Sequence, residues 1–117
     1  MKIQECYEAF GGDYNDVMNR LPKEELVIKF LRKFAENDIY DKLQQAVVDK
    51  DYENVFAHSH NLKGTAANLS ITALYKSASA LCDSVRNGEV RGDVDALMVD
   101  TAAIYEKTMN AIAQLED

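Results

Sequence analysis

A histidine and a glycine stand one helical turn apart inside residues 51–69, a segment that otherwise suits a continuous helix. A glycine in a helix interior costs about 1 kcal/mol relative to alanine, so Gly64 needs another explanation. At ~100° per residue, His60 and Gly64 lie about 40° apart on the helix surface, Ala67 continues the same line, and Lys63 flanks it. The pattern predicts an exposed imidazole next to uncovered helix backbone, with a cation beside it. This arrangement suits a histidine that a second protein approaches closely and that carries a bound anionic group for part of the time.

Each of these residues also has a simpler interpretation. Most histidines on helices have no chemical role, and a helical glycine can allow two helices to pack closely. Lys63 could be an ordinary solvated charge. Asn68 lies two turns beyond His60 and about 80° around the helix, where it either reaches toward the imidazole or simply precedes the helix end.

A metal site is not expected. Residues two apart on a helix point about 200° away from each other, so His58 and His60 cannot share an ion. Cys6 and Cys82 follow no zinc-ligand spacing. In a reducing compartment, both cysteines are expected to be small buried hydrophobic residues.

The composition predicts one compact domain over residues 1–117, with 47% hydrophobic and 28% charged residues. A formal net charge of −7 repels phosphate backbones and anionic lipids, so nucleic acid and membrane surfaces are poor partners. The sequence has neither a leader-like segment nor an uninterrupted apolar run long enough to cross a bilayer. We therefore expect a cytoplasmic protein.

Apolar residues recur with helical spacing along the whole chain, and no alternating pattern typical of strands competes. We predict a helix over residues 3–10 closed by two glycines, and a short helix capped by Asp13 that runs to residue 20. A third helix is predicted to start at Pro22, and a fourth ends near residues 49–50. The apolar positions predicted for the third helix are Leu26, Val27, Phe30, Leu31 and Phe34.

Three more features define the second half of the chain. Asp51 caps the histidine helix, whose core positions are predicted to be Val55, Leu62, Ala66 and Leu69, with a break or bend at residues 68–70. The next helix is predicted to stop at Asn87-Gly88, and Asp93 caps the last one. Because the connections are short, we predict an all-α fold: an antiparallel four-helix bundle with the short N-terminal segments covering one end or side.

Residues 60–64 resemble the signature of the histidine phosphotransfer (HPt) domains, a His-x-Leu-Lys-Gly core followed by small residues. Ala67 and the pair Asn68-Leu69 extend the match. The chain departs from the family at Ser70, where the family usually has glycine. The helical pattern along the chain is similar to that of a free-standing single-domain member.

The resemblance implies a phosphocarrier rather than an enzyme. His60 would accept a phosphoryl group from the aspartyl phosphate of a receiver domain and pass it to the aspartate of another receiver in a two-component phosphorelay. An exposed imidazole is largely neutral at cytosolic pH, so one ring nitrogen has a lone pair for attack on phosphorus. Lys63 could neutralise charge on the transferring group. No nucleotide-binding motif is present, so no cofactor is expected, and the Mg²⁺ would belong to the partner.

The implied partners are response-regulator receiver domains and a hybrid sensor kinase, with the protein itself a monomer. The docking surface should centre on Gly64 and Ala67 beside His60, with Phe56 and Ile71 as apolar rim contacts. Two other functional classes remain open on the sequence. One is a module that docks receivers without being phosphorylated, and the other is a plain structural bundle.

Overall fold

In a computed structural model that describes residues 1–116, the chain forms seven helices and one small hairpin. Asp117, the last residue of the predicted domain, lies outside the described residues. The elements are α1 (Ile3–Phe10), α2 (Tyr14–Arg20), α3 (Glu24–Glu36), α4 (Ile39–Val48), α5 (Tyr52–Asn68), α6 (Thr72–Asp83), β1 (Val85–Arg86), β2 (Glu89–Val90) and α7 (Val94–Ala113).

Helices α4 to α7 form the bundle that the periodicity predicts. Each packs against the next one along the chain, and α4 also contacts α7, which closes the ring. Helix α5 has the most extensive packing, because it lies between α4 and α6 and also contacts β1. The all-α prediction is confirmed, and the histidine helix is a central member of the bundle.

The N-terminal helices pack onto this bundle. Helix α1 contacts α7 and α2, and α3 contacts α7. The buried Tyr7 hydroxyl donates a hydrogen bond of 2.6 Å to the Leu69 carbonyl, just past the end of α5. Burial raises the pKa of Tyr7 above its ordinary value, so this hydroxyl remains a donor. The N-terminal segment therefore covers the end of the bundle where α5 turns into α6.

Three aspartates cap helices as predicted. The side chains of Asp13, Asp51 and Asp93 accept hydrogen bonds from backbone N–H groups in the first turns of α2, α5 and α7. Each cap satisfies a donor that has no partner within its helix. The Asp51 cap defines where the histidine helix begins.

The predicted start of α3 is wrong by two residues. Helix α3 begins at Glu24, and Lys23, its N-cap, has an extended backbone. The residue before a proline is also pushed toward extended backbone, as Leu21 shows with a φ of −128° and a ψ of 90°. Pro22 therefore stiffens the connection between α2 and α3 and is not part of the helix.

The predicted end of α6 and the predicted lack of strands are also wrong. Helix α6 ends at Asp83, and a hairpin follows in which Val85 pairs with Val90. Asn87 and Gly88 form its turn with φ angles of 53° and 75°. A two-residue hairpin turn of type I′ requires positive φ at both central positions, which an Asn-Gly pair provides. Strands of two residues are too short to show alternation in the sequence.

Two apolar positions of α3 are less buried than their spacing predicts. Val27, Leu31 and Phe34 are buried, but Leu26 is only half-buried and Phe30 remains 38% exposed. The apolar stripe of α3 is therefore wider than the surface that the bundle covers.

The turn after α5 explains the departure at Ser70. The Ile71 N–H donates to the Ala66 carbonyl and the Ser70 N–H to the Ala67 carbonyl, the two bonds of a Schellman motif. Ser70 occupies the left-handed position of this motif with a φ of +55°. Glycine adopts that conformation without a steric penalty, which is why it suits this position. The Ser70 hydroxyl donates a hydrogen bond of 2.6 Å to Asp16 on α2.

We expect Ser70→Gly to be more stable than Ser70→Ala. Both substitutions remove the bond to Asp16, but only alanine retains the left-handed penalty of about 1 kcal/mol. Urea unfolding of the two variants should therefore give free energies that differ by about 1 kcal/mol in favour of glycine. An alanine variant as stable as the glycine variant would contradict the assignment of strain to this residue.

Candidate functional site

The two faces of α5 separate as the sequence predicts. Val55, Leu62 and Ala66 are buried, Leu69 is buried just beyond the helix, and His60 is exposed on the other side. Ser59 is also buried, with its hydroxyl donating to the Val55 carbonyl at 2.6 Å. The packing of α5 therefore holds the imidazole outward.

An aromatic side chain flanks the imidazole. The rings of His60 and Phe56 are nearly parallel, with centroids 6.0 Å apart and an interplanar angle of 14°. Phe56 lies one turn toward the N-terminus, the direction in which helical side chains lean, and it is half-buried. It forms an apolar border to the exposed face around His60.

Lys63 contacts a residue far from it in the sequence, on the next helix. The Lys63 ammonium lies 6.0 Å from the ring centroid of Tyr75 on α6, which is cation–π distance. No carboxylate within residues 1–116 forms an ion pair with Lys63, so its charge is not neutralised by the described part of the chain. Nothing local marks Tyr75, because the contact depends on how α5 and α6 pack.

Gly64 faces open space. A Cβ atom added there would meet no other atom within 4 Å. Its backbone φ is an ordinary one for a helix, so neither a tight turn nor close helix packing explains the glycine. The alternative that Gly64 allows two helices to pack closely is therefore excluded. The backbone beside His60 is uncovered at the protein surface.

The other two predicted residues of α5, Ala67 and Asn68, lie in different places relative to His60. Ala67 is half-buried on the His60 side of α5, and Asn68 is exposed as the last residue of the helix. Asn68 borders a cleft between α3 and α5, about 80° around the helix from His60. No described contact connects Asn68 to the imidazole.

The predicted exposure of Ile71 is wrong, because Ile71 is fully buried. It is the second residue after the cap of α5, and in a Schellman motif an apolar residue at this position packs back against the last helical turn. Ile71 therefore belongs to the core at the end of α5. Of the two predicted rim residues, Phe56 is the one that reaches the surface.

The cysteines have the predicted packing role. Cys6 and Cys82 are both buried and unpaired. Burial raises the pKa of Cys6 to about 11, with a small opposing effect of the N-terminal amino group, so its reactive thiolate form is suppressed. Within residues 1–116, no group of three or more His, Cys, Asp or Glu side chains has the geometry of a metal site. None of the described helices is long and apolar enough to cross a membrane.

The exposed face of α5 thus combines a nucleophile, a cation and an open approach. A ring nitrogen of His60 can attack an electrophile held by a second molecule, and Gly64 allows that molecule to come close to the helix backbone. The Lys63 ammonium can balance negative charge that arrives there. We refer to His60, Lys63, Gly64 and Ala67, with Phe56 at the border, as the His60 face.

Comparison with known proteins identifies one family. A family model described as the Hpt domain matches residues 25–116, a span that contains α3 from its second residue, α4 to α7 and the whole His60 face. No curated protein and no solved structure matches the chain. The matched span covers most of the chain and includes residues 60–64, of which His60 and Gly64 are exposed on the surface of the helical bundle. The chain therefore belongs to the Hpt domain family.

Proposed function

We propose that this protein relays a phosphoryl group between receiver-domain aspartates through phospho-His60. The observation that carries the proposal is the open space at Gly64 directly beside the exposed imidazole. Membership of the Hpt family supports a role in histidine phosphotransfer. The His60 face supplies the residues through which such a transfer would run.

The chemical step is an in-line exchange at phosphorus. A lone pair of the neutral imidazole forms the N–P bond while the acyl O–P bond of the aspartyl phosphate breaks, and the aspartate leaves as a carboxylate. The second ring nitrogen of His60 retains its proton. The reverse sequence, on a different receiver, regenerates the imidazole. The chain needs no ATP site for this exchange, because each phosphoryl group arrives already activated.

Lys63 contributes charge. The transferring group carries negative charge throughout, and an ammonium on the same helix stabilises it in the partly desolvated interface. The Tyr75 ring favours a position of the ammonium beside α6, which limits the number of rotamers that the long lysine side chain explores. The contact thus orders the Lys63 side chain, three residues after His60 on α5, before the partner arrives.

The docking surface is the His60 face. Gly64 and Ala67 present little side-chain volume, and Phe56 provides apolar contact area at the border. The partners would be the receiver domains of response regulators and of a hybrid sensor kinase, and the Mg²⁺ that supports the exchange would be held by the receiver. Asn68 would add a polar contact at the far end of this surface. The protein would act as a cytoplasmic monomer, with no cofactor of its own and with neither nucleic acid nor membrane as partner.

His60→Gln should abolish phosphoryl acceptance while leaving the melting curve nearly unchanged, because an exposed side chain rarely contributes more than ~0.5 kcal/mol. Transfer from a labelled phospho-receiver measures the first effect, and circular dichroism the second. His58→Gln is the matched control and should accept phosphate normally. Label on the His60→Gln variant would contradict the assignment. If a receiver binds the parent protein without transferring phosphate to it, the result would support a docking module. If the parent protein shows neither binding nor transfer, the result would support a structural bundle.

Lys63→Ala should slow transfer by about tenfold, which corresponds to ~1.4 kcal/mol of barrier. Rapid-quench kinetics with a phospho-receiver measures the rate, and the thermal melt should remain close to that of the parent. Lys107→Ala, which removes an exposed cation from α7, is the control for net charge. Equal rates in the two variants would mean that Lys63 is only a solvated charge.

Substitution at Gly64 should separate stability from docking. Gly64→Ala should stabilise the free protein by about 0.5–1 kcal/mol, since alanine favours the helix and its Cβ meets open space. Gly64→Gln should remain folded but accept phosphate about a hundredfold more slowly, because an error of about 1 Å in the reacting geometry has that effect. Ala103→Gln, at an exposed position of α7, is the control for added bulk. A destabilised Gly64→Gln variant with normal transfer would contradict the docking argument.

A further inference from the structure

A second surface feature lies outside the His60 face. A cleft of about 570 Å³ opens between α3, with the connection that precedes it, and the last turns of α5. This volume falls in the range of roughly 300–1,000 Å³ typical of small-molecule sites. The residues proposed for phosphotransfer do not line it, apart from the peripheral Asn68.

The floor of the cleft is apolar and recessed. Phe34 and Leu69 are 2% and 6% exposed, and Leu21 is half-buried beside them. Phe30 forms a wall and remains 38% exposed, although its spacing on α3 matches the buried residues of that helix. An apolar ligand in the cleft would cover the one aromatic ring that the bundle leaves uncovered on α3.

The charges at the cleft have one sign. Arg20 and Lys33 line it, and no aspartate or glutamate among residues 1–116 does. The Lys33 ammonium lies 5.9 Å from the Phe30 ring, so a cation stands directly beside the aromatic wall. Arg20 is already engaged by Asp16, with an Nε to Oδ2 distance of 3.2 Å, which leaves Lys33 as the stronger attraction for an added anion. In a chain with a net charge of −7, a locally cationic cleft favours negative groups over neutral ones.

The size and the shape favour a small molecule over a partner helix. A helix that docks in a groove needs apolar anchors repeated over two or more turns. Here the apolar lining is limited to four side chains, Leu21, Phe30, Phe34 and Leu69, gathered at one place. Asn37, Thr65 and Asn68 add hydrogen-bonding groups around them, as in sites that orient a small ligand.

We propose that this cleft binds a small amphiphilic anion, with its aromatic or aliphatic body against Phe30, Phe34 and Leu69 and its acidic group at Lys33. The ligand class is an organic acid with an apolar body. The proposal is independent of the proposed phosphotransfer, because it depends on the lining of the cleft and not on His60.

Two fluorescent probes of the same shape test it on the full chain. Anilinonaphthalene sulfonate has an apolar body and an acidic group, and N-phenylnaphthylamine is its neutral counterpart. We expect one saturable site for the sulfonate, with an affinity about tenfold higher than that of the neutral probe. Amide shifts in nuclear magnetic resonance spectra should locate the bound sulfonate at Asn37, Thr65 and Asn68.

Two variants separate the charge from the apolar wall. Lys33→Gln should remove most of the advantage of the sulfonate and leave the neutral probe unchanged, while Phe30→Ala should weaken both probes about fivefold or more. Both side chains are exposed, so the fold should persist, which circular dichroism checks. Lys107→Gln should bind like the parent.

The proposal is overturned if no saturable binding occurs, or if Lys33→Gln and Phe30→Ala bind both probes like the parent. It is also overturned if a receiver domain shifts the amides of the cleft while the sulfonate does not, because the cleft would then belong to a protein interface. Loss of phosphate acceptance in His60→Gln is measured separately, so the failure of one proposal leaves the other standing.

Discussion

The orientation of α5 about its own axis is the constraint on which the rest of the molecule depends. Val55, Leu62 and Ala66 are buried between α4 and α6, and this packing leaves only one direction for His60. A rotation that buried the imidazole would expose these apolar side chains, at about 25 cal/mol for every Å² brought into contact with water. The position of His60 is therefore secured by side chains on the opposite, buried face of α5.

Interactions at the two ends of α5 hold the helix in this orientation by different means. Asp51 caps the first turn through its own side chain, a local interaction. The far end is held from a distance, because the Tyr7 hydroxyl bonds to the Leu69 carbonyl and Asp16 accepts the Ser70 hydroxyl. Both long-range bonds come from residues 1–24, which precede the segment matched by the family model. In this chain, α1 and α2 stabilise the end of the histidine helix.

The same N-terminal segment shapes a second surface. Arg20 at the end of α2 and Leu21 after it line one side of the cleft, and α3 and the end of α5 line the others. Phe30 remains exposed there, and Lys33 places a cation beside it. The surface of the bundle thus has two regions with different chemistry: a face of small side chains around a nucleophile, and an aromatic, cationic cleft beside it.

The sequence by itself determined most of the features that depend on neighbours along the chain. Helical periodicity placed the core stripe of α5 and the outward direction of His60, and the side chains of Asp13, Asp51 and Asp93 marked three helix starts, because a cap bonds only a few residues ahead. Contacts between distant residues were decided by the tertiary structure alone. The Lys63–Tyr75 pair, the exposure of Phe30 and the bond from Ser70 to Asp16 depend on how helices pack. The burial of Ile71 follows from the shape of the turn after α5, and the hairpin at residues 85–90 from the backbone of its Asn-Gly turn. Periodicity records which face of a helix is apolar, but it does not record how much of that face a neighbouring helix covers.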